Sequence, residues 1–346
     1  MPNLLGTNFP IIQAPMAGVQ DSRLTAAVSN AGGLGSLPCA MLTADALKAE
    51  LDILKVSTDQ PFNLNFFAHT PPEPDAAQDQ AWRAALAPHY RELGLDQSVI
   101  ASGPGRQPFN EEMAAIVEEF QPAVVSFHFG LPAPALLQRV KAAGATVLSS
   151  ATTVEEALWL ERNGADGIIA QGLEAGGHRG IFLTRDMSTQ MGTFALLPQV
   201  VAAVGVPVIA AGGIADARGV TAALALGAIA VQVGTAFMLC PEATTRTVHR
   251  AALKSESARQ TAITNLFSGG PARGIVNRIM RELGPISGDA PAFPLATNAI
   301  APLRAAAEAK GSGDFSPLWC GQNASGCREV SAAQLVKDLS HAEERV

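Results

Sequence analysis

Aromatic residues are scarce, at 5% of 346 residues, and Tyr90 is the single tyrosine. So few rings leave few platforms on which nucleobases could stack. The chain also lacks the basic excess that a phosphate backbone demands: 24 Lys and Arg stand against 31 Asp and Glu, a net charge of −7. A nucleic-acid partner is therefore not expected, although a local basic pocket for a small anion remains open. No run reaches the ~18 apolar residues of a membrane span, so no membrane partner is expected either. The opening stretch MPNLLGTNFPIIQAPM has no charged region followed by an apolar one and does not read as a signal peptide. The four cysteines, Cys39, Cys240, Cys320 and Cys327, form no CxxC pair and read as small buried hydrophobes in a reducing, cytoplasmic setting. No two of the six histidines have HExxH spacing, so no metal site is expected.

What is abundant is apolar material: 48% hydrophobic against 16% charged residues is enough for a large core and excludes disorder. Short apolar runs alternate with helical patterns. The runs PIIQAPM, GLGSLPC, FNLNFFA, AVVSFHFG, TVLSSAT, DGIIAQG, PVIAAGG and AIAVQVGTAF give eight strands, apolar throughout, as in a parallel sheet covered on both faces. Helices are predicted at 22–32, 43–57, 133–143, 154–163, 193–204 and 217–226. Eight such units over about 240 residues specify an α/β fold, a closed (β/α)₈ barrel. A doubly wound open sheet would want GxGxxG after the first strand, and QAPMAGVQ is not that motif.

The rhythm breaks at residues 69–122, where a Pro-rich loop precedes helical pieces near 77–93 and 110–121. Further helices are predicted near 269–283, 299–309 and 331–343. The domain reading is thus a barrel of 1–68 and 123–257. The 69–122 insertion and 258–346 form a smaller helical subdomain over the active-site face, which in barrels of this type lies at the C-terminal strand ends.

Those strand ends define the candidate site. Gly212 and Gly213 end the seventh strand before a helix opening near Asp216, and Gly234 and Thr235 end the eighth. Backbone N–H groups without side chains in front of them, together with a helix N-terminus, suit a phosphate. AQGLEAGGHRG (170–180) follows the sixth strand and places His178 and Arg179 on a glycine-flexed loop over the barrel mouth. Asn63 and Asn65 share one strand face, where their side chains require hydrogen-bond partners and suit the polar edge of a heterocycle. His128 is read as a second pocket residue and His69 as a weaker candidate, while His89, His249 and His341 are read as solvated surface.

QAPMAG, NLNFFAH, SFHFG, AQGLEAGGHRG, AAGGIADARG and VGTAF together resemble the nitronate monooxygenase family, formerly 2-nitropropane dioxygenases. FSGGPARGIVNR (267–278) and WCGQ (319–322) resemble that family's C-terminal segments, so the likeness spans nearly the whole chain. The resemblance implies an FMN-dependent enzyme, monomer or homodimer, that oxidises alkyl nitronates, and neutral nitroalkanes in some cases, with O₂. Its products are a carbonyl compound and nitrite, formed by way of a flavin semiquinone. It implies that Gly213 and the Gly234–Thr235 turn hold the flavin phosphate. Asn65 and Gln171 would hydrogen-bond the flavin ring, Gly176 would pack beside it, and Met16, Gly212 and Gln232 complete the cofactor set. His178 matches the family's catalytic histidine. Relatives with the EAGGHRG motif line the substrate pocket with tyrosines; here Phe293 stands where a tyrosine is looked for.

The chemistry of these residues agrees with that expectation. His178 and Arg179 beside a flavin would favour a small anion. An imidazole with its usual pKa of about 6.5 can take an α-proton near pH 7 or, protonated, steady the resulting nitronate. The alternative is an NAD(P)H-dependent flavin reductase of the enoyl-acyl-carrier-protein or quinone type. A nucleotide dehydrogenase of the inosine-monophosphate kind needs a nucleophilic cysteine at the barrel mouth, and none lies between 40 and 239. A non-catalytic binder of a phosphorylated ligand would purify colourless.

Overall fold

The computed structural model describes residues 4–100 and 106–341. Eight parallel strands form the central sheet: β1 (Ile11–Gln13), β2 (Gly35–Pro38), β3 (Phe62–Phe67), β4 (Val124–His128), β5 (Thr146–Ala151), β6 (Gly167–Gln171), β8 (Val208–Ala211) and β9 (Ala230–Val233). Their order is β1-β9-β8-β6-β5-β4-β3-β2. The ring closes through a parallel bridge between Ile12 and Leu34, with Leu34 N donating to Ile11 O at 2.8 Å and Gln13 N to Leu34 O at 2.9 Å. This is a (β/α)₈ barrel. The strands are buried on both faces because two different cores use them. Ile12, Leu34, Val124, Leu148, Ile169 and Ile209 fill the barrel interior, while Ile11, Ile168, Ala210 and Val231 meet the surrounding helices.

Helices stop and start where the capping chemistry dictates. Thr43 caps α2 (Ala44–Ser57) by accepting from Ala46 N, and Asn110 caps α4 (Glu111–Phe120) by accepting from Met113 N. Each such cap is worth about 1 kcal/mol. Helix α4 packs on α2 and on α5 (Pro134–Ala142) and contributes Ala114, Ile116 and Val117 to the barrel's outer core. It therefore occupies the barrel's own third helical position, inside the span expected to be an insertion. The excursion proper is α3 (Ala76–Leu93), which lies against α11 (Thr297–Ala309). Trp82, Leu86, Leu303 and Phe315 form a separate core between them. Tyr90 is buried there, its hydroxyl donating to Ala299 O at 2.6 Å. The chain's one tyrosine helps hold this second core together and lines neither cavity at the barrel mouth.

Three other expectations change. The helix near 269–283 is instead a strand, β11 (Ala272–Ile275), followed by the single turn α10 (Arg278–Glu282). β11 pairs antiparallel with β10 (Thr261–Thr264) on one side and with the two-residue β7 (Gly177–His178) on the other. The last helix, α12 (Ala332–Ser340), belongs to the barrel shell: Leu335, Val336 and Leu339 pack between α1 (Ser22–Asn30) and α8 (Ala217–Ala225). His89 and His249 are buried rather than solvated. His249, on α9 (Thr247–Leu253), donates from Nε2 to Trp319 O at 3.0 Å, and burial pushes its pKa down to about 4.

Candidate active site

The C-terminal strand ends open into one cavity. Met16 beyond β1, Asn65 on β3, His128 on β4, Gln171 on β6, Gly212 and Gly213 beyond β8, and Gln232, Gly234 and Thr235 at β9 all line it, together with Gly176 and His178. Gly212 and Gly213 have φ of 113° and 75°, a left-handed turn that a side chain would strain. Helix α8 adds nothing to this cradle. Asp216 spends its carboxylate on Gly219 N at 2.9 Å, and no α8 residue reaches the cavity. The C-terminal segment reaches this cradle instead. Gly321 N donates to Thr235 Oγ1 at 2.9 Å, Asn323 Nδ2 to Gly213 O at 3.0 Å, and Gln322 N to Glu174 O at 2.9 Å. Gly176 owes its missing side chain to the same segment, because a Cβ there would stand 2.6 Å from the Cys320 carbonyl carbon and the Gly321 nitrogen.

His178 is far from loosely held. It pairs with Ala272 across β7 and β11, and its carbonyl accepts from His128 Nε2 at 3.1 Å and Gln171 Nε2 at 2.9 Å. The next peptide is anchored by Arg179 N to Pro271 O at 2.8 Å, and the one after by Gly180 N to Gln171 Oε1 at 2.8 Å. The imidazole Nε2 lies 2.7 Å from Ser268 Oγ. The Ser268 hydroxyl has Gly270 O at 3.5 Å as an acceptor and takes Gly270 N at 3.4 Å on one lone pair, which leaves the other for an Nε2–H. In that tautomer Nδ1 keeps its own lone pair, and among the described residues it has no hydrogen-bond partner. Burial, and then the neighbouring Arg106 cation, hold the imidazole well below its usual pKa of 6.5. It is neutral at pH 7.

Arg179 points away from the cavity, contrary to the expectation of a site cation. It is 0% exposed. Its guanidinium donates to Gly172 O and Gln171 O, both at 2.6 Å, and to Gln190 Oε1 at 2.9 Å, capping the end of β6. Burial lowers its pKa to about 10, so it stays charged. The cation that does line the cavity is Arg106. Its guanidinium carbon sits 5.7 Å from the Phe293 ring centroid, and among the described residues no carboxylate pairs with it. Phe293 itself does not line the cavity. Its ring stands edge-on to His178 at 5.1 Å, and to His69 at 5.0 Å behind it, so it reaches the site only through its neighbours. His128 is neutral, pushed down to about 4 by burial. With Nε2 donating to His178 O, its Nδ1 accepts from Ser150 Oγ at 3.1 Å.

The polar groups that face the cavity have unused capacity. Asn65 commits both amide hydrogens to Ser126, at 2.9 Å to Oγ and 3.3 Å to the carbonyl, leaving its Oδ1 as acceptor. Asn63 bonds Ser36 and Ser126 deeper in the barrel and does not reach the cavity. Gln232 Oε1 is buried and unpartnered. A buried acceptor without a donor is costly, and here it faces a ligand space. Gln171 is largely spent on the His178 loop.

Sequence reasoning missed Arg106, Ser268, Trp319 and Asn323. The first lies outside every strand end. The others arrive from a segment whose folding onto the cavity depends on the β7–β11 pairing. The FSGG and WCGQ strings were a signal for that segment but not for its contacts.

A family model described as nitronate monooxygenase matches residues 1–342. The chain is 44% identical over 339 residues to a nitronate monooxygenase of Paraburkholderia phytofirmans, covering 97% of this chain and 92% of that one. It is also 44% identical over 338 residues to one of Pseudomonas aeruginosa, covering 97% and 96%. Among solved structures, a nitroalkane oxidase from Streptomyces ansochromogenes superposes with a TM-score of 0.88 at 39% identity, covering 96% and 95%. FabK from Thermotoga maritima superposes with a TM-score of 0.73 at 28% identity, covering 97% and 93%.

Proposed function

The chain belongs to the nitronate monooxygenase family and is an enzyme of it. On that premise we propose that it binds FMN in the barrel-mouth cavity and oxidises small alkyl nitronates with O₂ to carbonyl compounds and nitrite. In balance, the carbon–nitrogen bond breaks, an oxygen atom from O₂ ends on carbon, and nitrogen leaves with its two oxygens as nitrite. Two nitronate anions thus consume one O₂. FMN, when bound, supplies the electron transfer.

The donor set fits that cofactor. Gly213 and Gly234 offer the phosphate backbone with no side chain in front of it, and the Thr235 hydroxyl, which accepts from Gly321 N, keeps its proton to donate. Gln232 Oε1 and Asn65 Oδ1 offer acceptors to a ring N–H. Met16 and Gly176 line the same space, and Phe67 and Trp319 help keep water out of it.

The observation that carries the reading is a neutral His178 in one cavity with Arg106, a cation that no carboxylate pairs among the described residues. His178 Nδ1 takes the α-proton of a neutral nitroalkane, and Arg106 meets the oxygens on which negative charge collects. This assigns anion stabilisation to Arg106 instead of a protonated imidazole. An anion bound beside His178 raises its pKa again, so the abstracted proton stays on the ring. A nitronate supplied ready-made needs Arg106 but not the base.

The test is oxygen consumption with matching nitrite release when the protein is mixed with ethylnitronate in air. Bleaching of the bound flavin by NADH or NADPH without oxygen, and no response to nitronate, would replace this reading with the flavin reductase.

A further inference from the structure

A second chamber, of about 550 Å³, continues from the site just described. The two share Ala40, Phe67 and Arg106, so Arg106 stands at their junction. Beyond it the walls are largely apolar, with Leu42, Ala44, Phe66, Phe109, Met113 and Pro294 among them. Phe109 is buried and edge-on to Phe66 at 4.8 Å, which makes that wall rigid. Met41, 55% exposed, sits at the rim.

The charges are arranged in order. Among the described residues Arg106 is the one cation on the chamber wall, and Asp45 and Glu112, both exposed, are its acids. The helix ends nearby disfavour a second anion, since Asp45 stands in the first turn of α2, Glu111 and Glu112 stand in that of α4, and Thr43 and Asn110 already take one N–H of each. An anionic head therefore belongs at the inner end, and an uncharged apolar body beyond it.

We infer that this chamber receives the substituent of the enzyme's own substrate. That substituent is an uncharged apolar chain on the nitro-bearing carbon, threaded past Arg106 while the nitronate head stays beside His178. The inference rests on the proposed function and names its substrate class: medium-chain apolar nitronates in preference to the shortest ones, and to ω-carboxylated ones of equal length. A carboxylate at the far end would face Asp45 and Glu112.

The test uses the flavin-loaded enzyme and a series of ethyl-, butyl- and hexyl-1-nitronate with the ω-carboxylated six-carbon nitronate. The expected kcat/KM rises roughly threefold to fourfold per added methylene, and the terminal carboxylate forfeits the gain. Ala44→Phe, with Leu42→Trp as a second filling variant, brings the hexyl-to-ethyl ratio of kcat/KM close to one. A flat length series in the unmodified enzyme, or a ratio retained in folded filling variants, overturns the inference.

Calorimetric titration with hexanoate and propanoate, unreactive planar anions, keeps the two readings separable. If no nitronate is consumed at all, the proposed function fails. Tighter binding of hexanoate would still support the chamber, and equal affinities would overturn it even if turnover is normal or the filling variants do not fold.

Discussion

Ser268→Ala tests whether His178 works through one fixed tautomer. The serine is buried, and among the described residues its Oγ is the one hydrogen-bond partner of the imidazole, at 2.7 Å. Removing it leaves an Nε2–H in a closed space without an acceptor, which costs about 1–3 kcal/mol if the ring stays where it is. The ring can avoid that cost by turning, or by moving its proton to Nδ1. Either escape takes the basic lone pair away from the cavity. The kcat/KM for freshly dissolved neutral nitroethane should therefore fall roughly five- to 150-fold. Ethylnitronate arrives already deprotonated, so its kcat/KM should change by no more than about twofold. The assay is oxygen consumption with both substrates on enzyme of equal flavin content. Equal losses on both, or none on the nitroalkane, would refute the tautomer argument.

Three other perturbations follow from the same geometry. Arg106→Met removes a positive neighbour that holds the His178 pKa down. The acid limb of the nitroalkane kcat/KM profile should then move to higher pH, while KM for ethylnitronate rises about tenfold or more; an unmoved limb would count against the coupling. Gly176→Ala drives a Cβ into the Cys320–Gly321 main chain. The purified variant should lose flavin on dialysis while keeping the barrel's circular dichroism, and full flavin retention would contradict the close contact. His249 has a folded pKa near 4 against an ordinary value of 6.5. Between those values the unfolded chain binds the extra proton, so stability should fall as pH drops through that window, by about 3 kcal/mol from this residue. Thermal melts of His249→Gln should show a shallower decline, and a parallel one would exclude His249 as the source.

The barrel was legible in the sequence because its strands are continuous apolar runs and its helices carry caps and apolar stripes. The strand-end residues follow almost automatically, since the fold sends them all to one mouth. What local pattern could not show is the β10–β11–β7 sheet. β7 is two residues long, and its partner lies in a Gly- and Pro-containing segment far along the chain, where the pairing is decided by tertiary contact. The helix expected there was wrong for that reason, and the glycine-flexed loop that carries His178 is pinned by a strand pairing that its sequence does not announce. Adjacency misled at Arg179 as well. In an extended segment neighbouring side chains point to opposite sides, so His178 facing the cavity sends Arg179 into the core. The cation that faces the cavity, Arg106, sits in a stretch with no periodicity to mark it.

Residues 319–323 lie across the cavity mouth and tie Thr235, Gly213 and Glu174 together. This gives the molecule a fixed order of assembly. Every barrel strand has been synthesised by Val233, yet the pocket acquires its final wall only after Asn323 leaves the ribosome. A chain ending at Leu318 would hold all eight strands around a permanently open mouth. Anything bound against Gly321 and Asn323 therefore helps hold the C-terminal segment in place, and the docked segment in turn completes its wall.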